Sequence, residues 1–236
     1  MTGVMNETGP VSVVVATRNS AEYVQAALDS IAAQRPRPAE IVVIDGNSTD
    51  DTVAIASRFP GVRVIHQTGH GLGAARNEAI RECRQPLIAF CDSDDRWTAD
   101  ALAARLDVLA ANPGALAVIG LVMRVEIEGN IPTAAQRNRI GRAVPGFVLS
   151  SILVRREAFD RVGWFDESLP LGTELDWFVR LQQSGCPAVQ IDTLVLHKGA
   201  NGTSLSTDVT GLRDELLTVA RRFIDRKRGK PSSGQS

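Results

Sequence analysis

Alternating apolar runs and helix-like segments in the first hundred residues constrain the fold more than any other feature. Apolar runs occupy residues 11–15, 41–44, 62–66 and 87–91, and helical spacing occupies residues 22–34, 53–59 and 72–83. Strands that alternate with helices predict a parallel sheet with helices packed on both faces. The apolar runs are nearly continuous, as expected for strands that are buried on both sides. We therefore predict an α/β fold with a Rossmann-like, mostly parallel central sheet flanked by helices.

Polar clusters follow three of these four runs, at the points where the strands end. They are Thr17-Arg18-Asn19, Asp45-Gly46-Asn47 and Asp92-Ser93-Asp94-Asp95. In open α/β sheets the ligand binds outside the carboxyl ends of the strands. The coincidence of three polar clusters at such ends indicates a binding site along this edge of the sheet.

The second half of the chain has a less regular pattern. We predict helices at residues 98–111, 156–162, 174–184 and 211–227, strands at 116–127, 147–154 and 189–196, and a mobile loop at 131–143. Such a loop could close over a bound molecule. Because no linker or change in composition separates the halves, we predict a single domain.

Charge and cysteine content exclude some classes of function. The chain has 26 Lys and Arg against 27 Asp and Glu, which argues against a strongly basic nucleic-acid binder. The three cysteines form no CxxC pair, which favours a reducing, cytoplasmic location. No secretory signal or membrane-spanning run is apparent. The basic cluster near the C-terminus could touch the inner face of a membrane peripherally, or simply be a solvated helix end.

The acidic cluster at residues 91–95 is the sharpest chemical feature. Asp92, Asp94 and Asp95 directly follow a buried strand, and three adjacent carboxylates repel one another unless a cation compensates them. Mg²⁺ and Mn²⁺ prefer carboxylate and phosphate oxygens. The alternative is a polar loop that caps the helix beginning near Thr98. A DxDD string alone does not decide between these interpretations.

Two other segments of the first half contain candidate binding groups. Asp45, after the second strand, could accept hydrogen bonds from a ribose or a base, or could be an ordinary turn residue. The sequence from Gly71 to Asn77 runs from a glycine turn into a helix and could bring backbone close to a phosphate. It lacks the spacing of a dinucleotide fingerprint. Arg76 on that helix could neutralise a phosphate or face solvent.

The second half contributes two carboxylates and a His-Lys pair. Glu174 and Asp176 lie two residues apart at the start of a helix, so their side chains point to different sides. One of them could face a cleft and act as a general base towards an alcohol, although carboxylates also favour helix starts for electrostatic reasons. His197 follows the last apolar strand and could be structural or a ligand. Lys198 beside it suggests a loop that faces phosphate.

Four motifs in order resemble the nucleotide-sugar-binding half of family 2 glycosyltransferases with the GT-A fold. They are VSVVVATRN, EIVVIDGNSTDDT, GLGAARNEAI and PLIAFCDSDD, within residues 10–100, followed more loosely by GWFDESLPLGTELDWFVRL and VLHKGANGTS. The resemblance implies a nucleotide-sugar-binding half at 10–100 and an acceptor-binding half of the same domain at 101–227. Residues 1–9 and 228–236 would be terminal tails, the second disordered.

The resemblance also implies roles for individual residues. Those expected to contact the donor are Ala16, Thr17, Asn19, Asp45, Arg76, Asp92 and Lys198. Asp92 and Asp94, with Asp95 as a further option, would hold Mn²⁺ or Mg²⁺ against the donor diphosphate, and His197 could complete the metal site or touch the diphosphate. A bound metal would neutralise the charge that develops on the departing nucleoside diphosphate.

The resemblance further implies an inverting transfer from a nucleoside diphosphate sugar, by default UDP-linked, to an acceptor hydroxyl on a glycan, lipid-linked sugar or small molecule. The family often has Glu-Asp where this chain has Thr173-Glu174. Glu174 falls at the position of the catalytic base, and Asp176 is the second choice. The substitution keeps open a catalytically inactive nucleotide-sugar-binding protein. A nucleotidyltransferase would need a glycine-rich loop after the first strand, which Ala16-Thr17-Arg18-Asn19 does not provide.

Overall fold

The computed structural model describes residues 8–126, 137–138, 140–170, 172–185, 188–200, 218–221 and 223. Its strands are β1 Thr8–Thr17, β2 Arg37–Asp45, β3 Val62–His66, β4 Leu87–Phe90, β5 Asp95–Trp97, β6 Ala117–Glu126, β7 Ala143–Pro145, β8 Ile152–Arg155 and β9 Val189–Ala200. Its longer helices are α1 Val24–Ala32, α2 Thr52–Ala56, α3 Gly71–Glu82, α4 Ala101–Ala111, α5 Glu157–Val162 and α6 Thr173–Gln183.

All nine described strands belong to one mixed sheet, in the order β3-β2-β1-β4-β8-β6-β9-β5, with β7 paired to β6. The first four strands are parallel, as predicted. Beyond β4 the pairing changes, because β8 runs antiparallel to both β4 and β6, and β5 runs antiparallel to β9. The carboxyl ends of β1, β2 and β4 therefore lie side by side, and β9 brings residues from far along the chain to the same region.

The alternation of side chains along each strand divides the core between the two faces of the sheet. Val13 and Val15 of β1 belong to one apolar cluster, with α1 and α4. Val14, between them, belongs to the other cluster, with α3, α5 and α6. Successive side chains of a strand point to opposite faces, so a strand covered on both sides must be apolar throughout. This requirement explains the continuous apolar runs from which the fold was predicted.

Several predicted elements are corrected by the structure. The predicted strand at 147–154 is a 3₁₀ turn at Leu149–Ser151 followed by β8. The predicted helix at 53–59 ends at Ala56, and two short strands, β5 and β7, were not predicted at all. Three-residue strands carry too little periodicity to be recognised from sequence, and β5 forms only because β9 lies beside it.

Parts of the remaining predictions lie outside the described residues. Most of the predicted loop at 131–143, most of the helix at 211–227 and the whole tail at 228–236 belong to this group. Strand β1 begins at Thr8, inside the predicted N-terminal tail. None of the described helices combines the length and apolar character that crossing a bilayer requires.

Candidate active site

A cavity of about 630 Å³ opens at the carboxyl ends of β1, β2 and β4. Its wall includes residues of both halves of the sheet. From the first half come Ala16, Thr17, Arg18, Asn19, Ser20, Tyr23, Ile44, Gly46, Gln67, Gly71, Leu72, Ala75, Arg76, Asp92, Ser93 and Asp94. From the second half come Phe147, Pro170, Gly172, Thr173, Glu174, Leu175 and Lys198. The volume fits a ligand of nucleotide size, which needs several hundred cubic ångströms.

The loops after β1 and β2 are tied together at one end of the cavity. Asn19 has a left-handed backbone with φ 48°, and its side-chain oxygen accepts a hydrogen bond from the Thr49 N–H at 2.8 Å. In return the Asn19 N–H donates to the Ser48 hydroxyl at 2.8 Å. Asparagine tolerates this conformation better than most residues because its short side chain can bond locally. The two bonds thereby hold at the cavity wall the segment that was predicted to contact the nucleotide sugar, which includes Ala16, Thr17 and Asn19.

Asp45 lies directly behind this wall and is 1% exposed. Its carboxylate accepts hydrogen bonds from the backbone N–H and the hydroxyl of Ser48, and the next residue, Gly46, is the one that reaches the cavity. The His66 imidazole lies 3.7 Å away, on the exposed side. The geometry thus gives Asp45 the position of a residue that shapes the loop, and its predicted contact with the donor stays a prediction.

Asp92, Asp94 and Asp95, called the acidic triad below, form a tight turn after β4. The Asp95 N–H donates to the Asp92 carbonyl at 3.0 Å, which closes the turn. The Asp92 N–H donates to the Ser150 hydroxyl at 3.0 Å, which attaches the turn to the 3₁₀ segment. The three carboxylates offer oxygens that all lie within 4.8 Å of one another. Asp92 and Asp94 line the cavity, whereas Asp95 is completely buried beneath them.

Two cations contact the acidic triad. Arg76 of α3, 2% exposed, donates from Nη2 to Asp92 at 3.1 Å. Lys198 of β9 places its Nζ 3.0 Å from Asp95 and 3.8 Å from Asp92. The two halves of the chain therefore each supply one positive charge. In the described part of the structure, the ion pairs of the triad include Asp92 and Asp95 but not Asp94.

Burial and mutual repulsion make the triad titrate unevenly. Burial raises the pKa of Asp94 to about 6, with the negative charge of Asp95 acting in the same direction. Burial also raises the pKa of Asp95, against the opposing effect of Lys198. For Asp92, burial opposes ionisation, but the charges of Arg76 and Lys198 prevail and lower the pKa. Packed carboxylates of this kind are stabilised by additional positive charge.

The donor atoms of the acidic triad fit a hard divalent cation. Three carboxylates present only oxygen, the ligand type that Mg²⁺ and Mn²⁺ prefer. Asp92 and Asp94 face the cavity, so they would hold a metal on the side where a phosphate could bind. Asp95 is engaged by Lys198 and by the Gly199 N–H, which donates at 3.2 Å. The geometry therefore favours Asp92 and Asp94 as the cavity-facing ligands.

Glu174 stands at the cavity wall near the start of α6. Gly172, with φ 67°, precedes the helix in a left-handed conformation that suits glycine. The Glu174 carboxylate lies 3.9 Å from the Arg76 guanidinium and accepts a hydrogen bond from the Leu149 N–H at 3.4 Å. Burial raises its pKa; Arg76 opposes that effect and Asp92 adds to it. The carboxylate is thus in the cavity and held near the acidic triad.

Asp176 is directed away from the cavity. It is 2% exposed, and its carboxylate accepts a hydrogen bond from Arg180 Nε at 2.7 Å, one helical turn along. Arg180 also donates to the carbonyls of Val162 and Trp164, so this pair fastens α6 to the end of α5 and to the segment that follows it. The separation of Glu174 and Asp176 onto different sides of the helix agrees with their spacing. Of the two predicted bases, the structure brings only Glu174 into the cavity.

His197 is half-buried on β9, beside Lys198. Because neighbouring side chains of a strand point to opposite faces, His197 points away from the side on which Lys198 meets Asp95. Among the described residues, His197 is not part of the cavity wall, and it does not belong to the group of possible metal ligands. Its assignment as a metal ligand stays a prediction that the geometry does not favour.

Ser150 and Phe147 are two of the residues near the site that the sequence reasoning missed. Ser150 bonds the acidic turn, and Phe147, 49% exposed at the cavity wall, packs edge-on against Phe178 with ring centroids 5.9 Å apart. Both lie in a stretch predicted as an ordinary strand. The sequence shows only an aromatic residue in an apolar run, which is equally typical of a core residue.

Comparison with known proteins shows the family to which the sequence is similar. The family model "Glycosyl transferase family 2" matches residues 12–163. Chondroitin synthase of Escherichia coli is 26% identical over 215 residues, covering 87% of this chain and 31% of that protein. Succinoglycan biosynthesis protein ExoU of Rhizobium meliloti is 29% identical over 231 residues, covering 83% and 64%. The chain thus spans less than two thirds of the length of these relatives.

Solved structures share the fold. The mannosyltransferase PcManGT from Pyrobaculum calidifontis, in complex with GDP-Man and Mn²⁺, superposes with a TM-score of 0.70 at 24% identity, covering 92% of this chain and 64% of that one. S. aureus TarS 1-349, in complex with UDP-GlcNAc, gives a TM-score of 0.69 at 21% identity, covering 90% and 65%. The predicted α/β architecture of the GT-A type is confirmed.

Proposed function

Because this chain belongs to glycosyl transferase family 2, we propose that its cavity transfers a sugar from a nucleoside diphosphate sugar to an acceptor hydroxyl. The observation that carries the proposal is the meeting of Asp92, Asp94, Arg76, Lys198 and Glu174 at one cavity. Four of these side chains can hold a diphosphate through a cation or directly, and the fifth can receive a proton.

The donor would lie along the carboxyl ends of the strands. The nucleoside would occupy the end formed by Thr17, Asn19 and Gly46, and the diphosphate would lie towards Arg76 and Lys198. Guanidinium and ammonium groups are the usual partners of phosphate oxygens. UDP is our default for the nucleotide of the donor. The complexes of the two structural relatives with UDP-GlcNAc and GDP-Man support a nucleoside diphosphate sugar in general.

Asp92 and Asp94 would hold a divalent ion, Mn²⁺ or Mg²⁺. When bound, such an ion supplies positive charge that stabilises the departing diphosphate. Arg76 already contacts Asp92 and is fixed by burial, so it keeps one carboxylate oriented while it presents charge to the donor. Its guanidinium would stabilise the same developing charge without having to reorganise.

Glu174 would act as the general base, and the reaction would invert the anomeric centre. The carboxylate would take the proton of the acceptor hydroxyl as that oxygen attacks the sugar from the face opposite the diphosphate. The raised pKa of Glu174, caused first by burial, makes the carboxylate a stronger proton acceptor than a solvated one. The acceptor would enter over Phe147 and Leu175, which line the same wall.

The acceptor class and the location are also part of the proposal. The relatives named for chondroitin and succinoglycan synthesis support a glycan or another glycoconjugate as acceptor. A cytoplasmic site of action is supported by the free thiols of Cys83 and Cys91. Peripheral contact at the inner face of a membrane stays a prediction from the basic cluster near the C-terminus.

The test is a thermal-shift panel followed by a transfer assay. UDP and GDP sugars are added to the protein with EDTA and then with Mn²⁺, and the melting temperature is recorded. A matching donor stabilises the folded state by mass action, by about 2.7 kcal/mol at a hundred times its Kd. We expect a clear shift with Mn²⁺ and a weak one with EDTA.

The same panel separates the alternatives. Equal stabilisation with and without Mn²⁺ would count against the metal role of Asp92 and Asp94. Donor binding without transfer to any acceptor, and without slow hydrolysis of the donor, would favour an inactive nucleotide-sugar-binding protein. A shift with nucleoside triphosphates but not with nucleotide sugars would contradict the proposed function.

A further inference from the structure

Lys198 lies beside the carboxylates that would hold the proposed metal. Its Nζ lies 3.0 Å from Asp95 and 3.8 Å from Asp92, and its side chain is 13% exposed. These two carboxylates belong to the same group of oxygens within 4.8 Å that fits a divalent cation. An internal cation therefore already neutralises part of the charge that a metal would neutralise.

The backbone determines the position of Lys198. It lies opposite Asp95 in the antiparallel pairing of β5 with β9, and the neighbouring Gly199 N–H also donates to Asp95. The Cα of the lysine is thus fixed beside the acidic triad. The four-carbon side chain, in contrast, is flexible and ends in a compact charge with three donors. It lines the cavity, so its ammonium can reach an anion there without movement of the strand.

A lysine in this position would be repelled by the proposed metal and attracted by the donor diphosphate. A divalent ion between Asp92 and Asp94 would lie a few ångströms from the ammonium, and like charges at such distances repel even where the effective dielectric constant is about 20. A diphosphate in the cavity would offer the ammonium other oxygens to bond. Arrival of the nucleotide would then free the triad for the metal.

We propose that the Lys198 ammonium is a built-in counter-cation that competes with the divalent ion for the acidic triad, and that the donor diphosphate removes this competition. The inference rests on the proposed function, because the metal and the diphosphate come from it. It makes metal and nucleotide bind together, and the coupling is reciprocal, since each raises the affinity of the other by the same factor.

The test compares Mn²⁺ binding by the wild-type chain and three variants, without transfer activity as the readout. Lys198→Gln removes the charge and keeps a hydrogen-bond donor, Lys198→Arg keeps the charge, and Arg96→Gln removes an exposed charge from the adjacent strand. Free Mn²⁺ is measured by electron paramagnetic resonance, without nucleotide and with saturating UDP or GDP.

We expect Lys198→Gln to bind Mn²⁺ about tenfold or more tightly than wild type without nucleotide, because a repelling charge has been removed. The factor by which the nucleotide improves Mn²⁺ binding should fall in the same variant. Lys198→Arg and Arg96→Gln should retain the wild-type affinity and coupling. Mn²⁺ affinity in Lys198→Gln that is equal to or weaker than wild type would overturn the proposal.

Loss of Lys198 leaves Asp95 buried without its cation, which destabilises the fold. If Lys198→Gln is unfolded in EDTA, its circular dichroism is measured again with Mn²⁺. Recovery of the folded signal would support the proposal, since the metal then replaces the lysine charge, and failure to recover would overturn it.

The outcomes also separate this inference from the proposed function. Wild-type protein that binds Mn²⁺ with a nucleotide, and whose affinity Lys198→Gln does not improve, would overturn the inference alone. Wild-type protein that binds no Mn²⁺ even with nucleotide, while Lys198→Gln binds it, would support the competition, overturn its relief by the diphosphate and contradict the metal step of the proposed function. No Mn²⁺ binding by either protein would overturn both.

Discussion

The two halves of the sheet meet at one cavity but are built by different rules. From Thr8 to Phe90, the four strands are parallel to one another, and each is followed by a helix or by the acidic turn. From Asp95 to Ala200, the strands pair in both directions, and β5 finds its partner in β9, which contacts it 103 residues later along the chain. Local order builds the first half, and long-range pairing builds the second.

This difference shows where the groups of the candidate site come from. The first half supplies residues that follow its strands, such as Asp92, or that lie within its helices, such as Arg76, and the regular alternation of strands and helices indicates where they are. The second half supplies Glu174, Lys198 and Phe147, which come from a helix start, an interior strand position and a loop. Their meeting depends on the pairing of distant segments and not on a local motif.

The largest effect is expected at Glu174, the group by which the second half would complete the chemistry of the first. Glu174→Gln should lower kcat by roughly 10²- to 10⁴-fold, because the amide cannot accept the acceptor proton. Donor affinity should change little, since the amide keeps the shape of the side chain. Steady-state kinetics and calorimetric donor titration measure the two effects separately. A kcat close to wild type would show that another group is the base.

Asp176 should behave in the opposite way, as a structural residue. Asp176→Asn breaks the buried pair with Arg180 and should lower the free energy of unfolding by about 3 kcal/mol. The kcat of the folded fraction should stay close to that of wild type. Urea unfolding and activity at a temperature below the transition test this expectation. Loss of activity without loss of stability would exchange the roles of the two carboxylates.

The close pairing of β6 with β9 predicts that Gly120 of β6 does not tolerate an added side chain. A Cβ at Gly120 would lie 2.5 Å from two side-chain carbons of Val195 and 3.0 Å from the Thr193 carbonyl. Gly120→Ala should therefore destabilise the protein by about 1–3 kcal/mol. The matched control is Gly114→Ala, where nothing lies within 4 Å. Equal unfolding free energies for the two variants would contradict the packing argument.

The smallest effect is expected from Glu40 of the first half. Its carboxylate accepts hydrogen bonds from the Ser12 hydroxyl at 2.6 Å and from the Arg84 N–H, and it lies 3.7 Å from Arg63. Burial acts to raise its pKa, but the hydrogen bonds and the arginine charges prevail and lower it below 4.5. The contact therefore stabilises the fold above that pH and is lost as the pH falls through the lowered pKa.

Glu40→Gln should thus cost about 1 kcal/mol near neutral pH, the usual worth of one or two hydrogen bonds. The difference from wild type should shrink as the pH falls below 4.5, because the wild-type carboxylate then becomes protonated too. Urea unfolding across pH 3 to 7 measures it. A difference that grows at low pH would contradict the sign of the pKa change.

The acidic triad shows how far the sequence alone carried the site and where it stopped. The cluster after a buried strand indicated oxygen ligands for a cation, and the structure places all three carboxylates together. The sequence treated them as equivalent or left Asp95 as an option. Only the tertiary structure shows that Asp95 is completely buried and engaged by Lys198, whereas Asp94 faces the cavity.

The sequence by itself determined the parallel half of the sheet, the edge on which the cavity lies and the separation of Glu174 from Asp176. These features follow from local periodicity, since a strand repeats every two residues and a helix every 3.6. Tertiary structure alone decided that Lys198 lies against Asp95, that Ser150 holds the acidic turn and that β5 exists. These contacts join residues that are far apart in the chain. Their formation depends on the packing of the whole sheet, which cannot be predicted from a local sequence pattern.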